Sequence, residues 1–280
     1  MSKNQFKIFG KQLIRLEYPV VMTPRWGHGK PAHKGLNAII SEGDKAYGVL
    51  LESFLRHREI FSRIKTAKME KNHGQPAWNN GFLPGLDMVA LYGLLARLGS
   101  AHYVEVGSGN STKMARKAIT DNQLPTHITS IDPFPRADID ALADTVIRKP
   151  FETLGDYSTF EKLSENDILF IDNSHRCFPN SDVTVFFMEI LPRLQRGVIV
   201  HIHDIYLPFD YPDFMCDRAY SEQYLLAMAI LSNPGRYQTL LPNYYISEHH
   251  ELKKILQPIW SEPGLTGVET HGGSYWLRIG

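Results

Sequence analysis

Cysteine is almost absent from this chain. Cys177 and Cys216 are the only two, too few for a disulfide framework and without a C-x-x-C spacing for a metal site. A reducing cytoplasm is the expected compartment. No run approaches the roughly 18 apolar residues of a membrane span. The opening residues, MSKNQFKIFGKQLIRL, spread their lysines and lack an apolar core, so they do not read as a signal peptide. Net charge is missing too. The 30 Lys+Arg balance the 30 Asp+Glu, which leaves no global attraction for a phosphate backbone and argues against a nucleic-acid partner. There is no internal repeat and no low-complexity tract.

What is present suits a soluble globular protein, with 43% hydrophobic and 21% charged residues over 280 positions. That length fits one large or two small domains. The charge is uneven. Residues 1–80 carry 14 Lys+Arg against 6 Asp+Glu, and residues 81–280 carry 16 against 24. The basic part reads as a solvated helical extension packed on the main body, with an acidic partner or a membrane surface as the other reading. Residues 1–35 show little pattern. From Gly43 to about Lys71 the spacing predicts a helix, with Val49, Leu50, Phe54, Ile60, Phe61 and Ile64 on one face. A second helix is expected from Pro84 to Leu98, closed by Gly99.

The stretch YVEVGSGNST, from Tyr103 to Thr112, organises the rest. It reads as a buried strand, a glycine turn and a helix start. Gly107 and Gly109 allow a sharp turn and a close backbone approach to a ligand. Asn110 or Ser111 is expected to cap the helix that follows. The unpaired N–H groups at such a helix start suit a negatively charged ligand group. A dinucleotide loop wants a third glycine where Thr112 stands. Glu105, two residues before the first glycine, suits an ammonium or sulfonium ligand better than a pyrophosphate.

Downstream, strands and helices alternate. Strands are expected at 102–106, 126–132, 145–148, 167–172, 197–204, 237–241 and 274–279. Helices are expected over 113–119, 139–143, 156–163, 182–194 and 218–231. Buried β runs alternating with helices imply a mostly parallel, doubly wound α/β sheet, and the last two strands suit an antiparallel edge pair. Residues 1–80 are taken as an N-terminal, largely helical extension and 81–280 as a Rossmann-like domain.

Four strands end in or beside acids: Glu105, Asp132, Asp172 and Asp204. Ligands of open α/β sheets bind at that edge. Four carboxylates there repel one another unless donors or cations compensate. Asp132 stands 23 residues after Gly109, a spacing that suits ribose hydroxyls, and a turn before Pro133 is the structural alternative. Asp172 opens the polar run DNSHR with His175. In HIHD, alternation puts His201 and His203 on one face and Ile202 and Asp204 on the other. His203 and Asp204 suit a base or a metal site, and His201 suits the core. The following IYLPFDYPDF is a stiff aromatic loop, fit to wall an acceptor pocket or to form a satellite core.

The pieces YVEVGSGNST, SIDPFPR, DILFIDNSHR, GVIVHIHDIYLPFDYP and SEQYLLA, in this order, resemble the class I S-adenosylmethionine-dependent methyltransferases, and more narrowly methyltransferase family 24. The resemblance covers about residues 78–232 and the last strand. It implies a seven-stranded sheet and methyl transfer from S-adenosylmethionine. Glu105, Gly107, Ser108, Gly109, Asn110 and Ser111 would hold the methionine end. Asp132 would take the ribose. Pro133 and Phe134 would lie near the adenine, and Asp172 beside the sulfonium. Asp172, His175, His203 and Asp204 are the catalytic candidates, with His203 or His175 as the base. Related small-molecule O-methyltransferases, and the cephalosporin hydroxylase group, bind a divalent metal at the equivalent strand ends. Asp172, His203 and Asp204 are the candidates here, with Mg as the ion, although His203 replaces an acid of that pattern.

The expected activity is O-methylation of a small-molecule or sugar-type acceptor. The alternatives are a binding protein on the same fold and a nicotinamide-dependent oxidoreductase. The N-terminal helices are candidates for a lid or for a homo-oligomer contact.

Overall fold

The computed structural model describes residues 5–8, 11–135 and 137–280. The segment read for a leader lies partly outside them, as does Arg136 of SIDPFPR. A short hairpin, β1 (Gln5–Ile8) and β2 (Lys11–Ile14), comes first. Helices α1 (Lys34–Ser41), α2 (Asp44–Phe54) and α3 (Arg58–Arg63) follow, then α4 (Gly85–Leu98). The sheet is built from β3 (His102–Val106), β4 (His127–Ile131), β5 (Thr145–Ile147), β6 (Ile168–Ile171), β7 (Ile199–Ile202), β8 (Tyr237–Pro242) and β9 (Tyr275–Ile279). Helix α5 (Asn110–Asp121) joins β3 to β4.

The sheet order is β5-β4-β3-β6-β7-β9-β8. The first five strands are parallel, and β9 runs antiparallel between β7 and β8. This is the seven-stranded, mostly parallel sheet expected. The last two strands are not a tight hairpin, because three short helices over 243–260 lie between them. All four residues of β6 and of β7 are buried, so their sequences read as continuous apolar runs. His201 interrupts β7 without function at the edge. Its ring stacks on Trp276 of β9 at 3.7 Å between centroids, and burial pushes its pKa well down, so it is a neutral core ring.

One apolar core runs from Leu36 to Ile279, and Leu36, Ile40, Leu51, Phe54 and Phe61 of α1–α3 belong to it. Each such buried side chain contributes about 1.5–3 kcal/mol. Helix α4 is buried from Gly85 to Leu95 and ends at Gly99 in the left-handed conformation, φ 61°. No helix among the described residues is long and apolar enough to cross a membrane.

The helix expected over 43–71 is broken. It stops at Arg63, and Ile64 turns to extended backbone. The next residues pair with a later segment instead: Trp78 N–H donates to the Lys65 carbonyl and Ala67 N–H to that of Trp78. Trp78 is fully buried and its indole donates to the Phe61 carbonyl at 3.3 Å. Of the expected apolar face, Val49 is exposed. The helix expected over 182–194 is α-helical only over Asp182–Val185, then widens and tightens into other turns before Leu194. At the strand ends, Val106 pairs with Ile131 and Ile171, and Ile171 with Ile202. The next residues, Gly107, Asp132, Asp172 and His203, therefore leave the sheet side by side.

Candidate active site

Gly107 sits at the turn after β3 with φ +83°. A Cβ there would lie 1.8 Å from the Asp172 carbonyl oxygen. Only glycine lets the β3 turn close against the end of β6. Gly109 is different. Its added Cβ would meet nothing within 4 Å, and the open space is a cavity. The N-cap of α5 is Gly109, so Asn110 and Ser111 are the first helical residues rather than caps. The capping contact comes from Thr112, whose hydroxyl accepts from Gly109 N–H at 3.0 Å. Asn110 donates to Asn80 Oδ1 at 3.1 Å.

Glu105 lines neither cavity of the site. It is fully buried and accepts hydrogen bonds from Ser111 at 3.0 Å, from Tyr103 at 3.3 Å and from the Thr112 hydroxyl. Burial raises its pKa to about 7 against the pull of these donors. Its place is under the loop, holding the start of α5 to β3. Asp132 ties the loop from the other side. Its Oδ2 accepts from Ser108 N–H at 2.9 Å and its Oδ1 from Phe134 N–H at 2.8 Å. Both the turn reading and a free lone pair for ribose are compatible with that geometry. Phe134 is 87% exposed beside it.

Two cavities flank this edge. The first, about 300 Å³, is lined by Ser108, Gly109, Asn110, Ser111, Phe82 and Asp172, together with residues of the 67–83 segment. The second, about 690 Å³, is lined by Gly107, Ser108, Asp132, Phe134, Asp172, His175, His203 and Asp204 among others. Ser108, Phe82 and Asp172 belong to both.

The floor of the second cavity is a cluster of imidazoles and carboxylates. His175 Nε2 lies 3.2 Å from Asp172 Oδ1 and 3.5 Å from Asp204 Oδ2. His203 Nδ1 lies 3.6 Å from Asp172 Oδ1 and 3.5 Å from Asp204 Oδ1. Each imidazole also faces a fully buried carboxylate: His175 Nδ1 meets Glu222 at 2.9 Å, and His203 Nε2 stands 3.7 Å from Asp87. His203 thus sits near its partners without a hydrogen bond to any of them. Asp87 is fixed by Asn243 at 2.7 Å and by Gly273 N–H at 2.9 Å.

Burial alone would push both imidazoles down. For His203 the charges of Asp204, Asp172 and Asp87 override it and raise the pKa to about 9. For His175 the bonds to Asp172 and Glu222 raise it well above the usual value. Burial pushes Asp172 up, but the two imidazoliums hold it well below the usual carboxylate range. Burial raises Asp87 and Glu222 despite their partners. Both imidazoles are therefore charged at neutral pH, and these are the donors that the carboxylates required.

Alternation does not hold at the end of β7. Asp204 has φ +54°, so its side chain turns back beside His203 instead of to the opposite face. Glu222 and Asp87 were not singled out from the sequence. Asp87 is a lone acid inside the otherwise apolar run LDMVALYGLL, a signal that would have found it, whereas Glu222 stands at the polar start of QYLLAMAIL and carries no such signal. Among the described residues no cluster has its donors arranged to hold a metal ion. Asp172, His203 and Asp204, the candidate ligands, direct their atoms at each other and at His175. The 205–214 loop contributes to a small core and to the lining of the second cavity. Tyr206, Tyr211, Met215 and Cys216 form a small separate core, while Tyr206, Phe214 and Met215 line the cavity.

Residues 104–205 match the model of a methyltransferase domain, family 24. The match spans 102 of the 280 residues and takes in the glycine turn, Asp132 and the cluster of Asp172, His175, His203 and Asp204. No curated protein matches the chain. Among solved structures, the SAH-bound methyltransferase PaMTH1 of Podospora anserina aligns over 81% of this chain and 88% of its own, at 14% identity and a TM-score of 0.42. A candidate methyltransferase from Thermobifida fusca YX aligns over 71% and 84%, at 15% identity and a TM-score of 0.32.

Proposed function

We propose that this protein transfers a methyl group from S-adenosylmethionine to an oxygen of a small-molecule, sugar-type acceptor. The observation that carries the reading is the meeting of the two cavities at Ser108 and Asp172. One side is walled by backbone and hydroxyl groups at the start of α5, which suits the methionine end of the cofactor. The other is lined by Asp132, which suits the ribose, by Phe134, which with Pro133 would lie near the adenine, and by the charged cluster. The open space at Gly109 is the room a cofactor needs.

Bound there, S-adenosylmethionine supplies a methyl group on a positively charged sulfur, which leaves as the neutral sulfide. The chain's own task is to align an acceptor hydroxyl and remove its proton. Asp172 and Asp204 are the cluster's solvent-facing members, with side chains 35% and 16% exposed. Asp204 receives the hydroxyl, and His203 behind it takes the proton as the new C–O bond forms. His175, clamped by Glu222, holds Asp172 and Asp204 in place. A group with a pKa near 9 is in its proton-accepting form in about one molecule in a hundred at pH 7, so the base is the minority form of the resting enzyme. No step here requires a metal.

Calorimetric titration with S-adenosylmethionine, S-adenosylhomocysteine and NAD, repeated on Asp132→Ala, tests the reading. Micromolar binding of the first two, weakened roughly tenfold or more in the variant, is expected. Binding of NAD alone would turn the protein into an oxidoreductase. A folded protein that binds none would be a non-catalytic member of the fold.

A further inference from the structure

The mouth of the second cavity carries two arginines that the chemistry above does not use. Arg176, on the loop after β6, donates from Nε to the Arg218 carbonyl at 2.9 Å and from a terminal nitrogen to the Ser174 carbonyl at 3.0 Å. Its guanidinium carbon lies 5.1 Å from the centre of the Tyr220 ring. The Arg218 guanidinium lies 5.9 Å from Tyr220 and 5.9 Å from Phe214. The Tyr220 ring in turn lies 4.6 Å from that of His175. One aromatic ring thus ties both arginines to the catalytic floor.

Neither arginine forms an ion pair among the described residues, although Arg58, Arg116 and Arg148 all do. Arg218 makes no side-chain hydrogen bond there. Asp213 and Asp217, its neighbours in sequence, are exposed and pair with neither arginine. Asp132 and Glu269, the acids that line the cavity outside the floor, also pair with neither. Contact with an aromatic face positions a guanidinium and leaves its charge uncancelled. The cavity therefore has a floor in which carboxylates face imidazoles and a rim that carries two guanidiniums without an ion-pair partner among the described residues. A planar fork of donors is the geometry that binds phosphate oxygens.

On the methyltransferase reading above, we infer that the acceptor is a phosphate ester or diphosphate whose anionic group is held by Arg176 and Arg218 while its hydroxyl reaches Asp204. Two guanidiniums match the double charge of a phosphate better than a single carboxylate. Arg176 and Arg218 are then specificity residues, and neither takes part in proton removal.

The probe is pyrophosphate, with inorganic phosphate and acetate as comparison anions, titrated at fixed ionic strength and without divalent metal into protein saturated with S-adenosylhomocysteine. Pyrophosphate is expected to bind at least tenfold tighter than acetate, and Arg218→Gln to weaken it about tenfold with S-adenosylhomocysteine affinity unchanged. Arg218 is exposed and unbonded, so this variant keeps the fold. Arg176→Gln is the second variant and is expected to act the same way. Pyrophosphate no tighter than acetate, or indifferent to Arg218→Gln, overturns the inference and leaves the methyltransferase reading intact. Binding of pyrophosphate through Arg218 by a protein that does not bind S-adenosylhomocysteine keeps the anion site and removes that reading instead.

Discussion

The two cavities share Asp172 and Ser108 yet are made of different materials. The first is shaped by backbone: Gly109, a helix start and a carboxylate hidden beneath it. The second is shaped by charge: two imidazoliums, four carboxylates and, at the rim, two arginines. A cavity made of backbone fails when the chain cannot take its path. A cavity made of charge keeps its shape and fails when a proton is in the wrong place. Substitutions in the two halves should therefore damage different observables.

The largest effect is expected at the joint between them. Gly107→Ala puts a methyl group within 1.8 Å of the Asp172 carbonyl oxygen, at φ +83°. Neither backbone can retreat without breaking the bond from Asp172 N–H to the Val106 carbonyl. A loss of about 3 kcal/mol or more is expected, read as a lowered urea midpoint. A wild-type midpoint would mean that the turn is not held against β6 as described.

Next come Asp204→Asn and His203→Asn. Both should leave S-adenosylhomocysteine affinity unchanged and lower kcat by about 10²–10⁴. If they weakened cofactor binding as strongly as turnover, the division between the two halves would be lost. The same assay, run with EDTA and then with Mg, addresses the remaining candidate role of Asp172, His203 and Asp204. A rate that collapses on chelation and returns with Mg would mean that the cluster holds a cation in place of its protons.

The division of labour is partly visible in the sequence, and the parts that are not share a cause. Strands DILFID and GVIVHIHD are legible because a buried parallel strand is continuously apolar. The glycine turn is legible because Gly107 and Gly109 have few other uses. Residues 64–71 are misread because apolar spacing is local, whereas Trp78 takes Lys65 and Ala67 into a pairing formed across a loop. Asp204 is placed on the wrong face because alternation assumes extended backbone, which ends one residue earlier. Glu222 and Asp87 escape notice because the histidines they face lie 47 residues upstream in one case and far downstream in the other. Local pattern finds elements; partners brought together by the sheet edge need the fold.

A change of pH should separate the halves again. His203 must be neutral to accept a proton and has its pKa raised to about 9, so kcat/KM should rise with pH, approaching tenfold per unit, and level off near 9. A flat profile between pH 6 and 9 would remove His203 from proton transfer. Stability should move the other way. A histidine with a raised folded-state pKa stabilises fully below about 6.5, and that contribution is lost as pH climbs through about 9. Glu105, raised to about 7, adds to the loss, because the folded state keeps its proton where the unfolded chain releases it. Melting temperature should therefore fall between pH 6 and 9 while turnover climbs. Glu105→Gln should flatten the first part of that fall without altering the kcat/KM profile.

The smallest effect, and the sharpest use of the comparison, is expected two residues from the largest. Gly109→Ala adds the same methyl group as Gly107→Ala. At Gly109, however, no atom stands within 4 Å of the added carbon. The fold should barely notice, with a change within about 0.5 kcal/mol. The methyl group instead occupies part of the 300 Å³ cavity beside Ser108 and Asn110. Cofactor affinity should drop several-fold, with kcat at saturation nearly intact, since nothing in the charged half has moved. Equal unfolding midpoints for wild type and Gly109→Ala, with different S-adenosylhomocysteine affinities, would assign that space to the cofactor. Unchanged affinity would mean that the cofactor keeps to the second cavity, and that the backbone-made half serves the acceptor or the 67–83 segment instead.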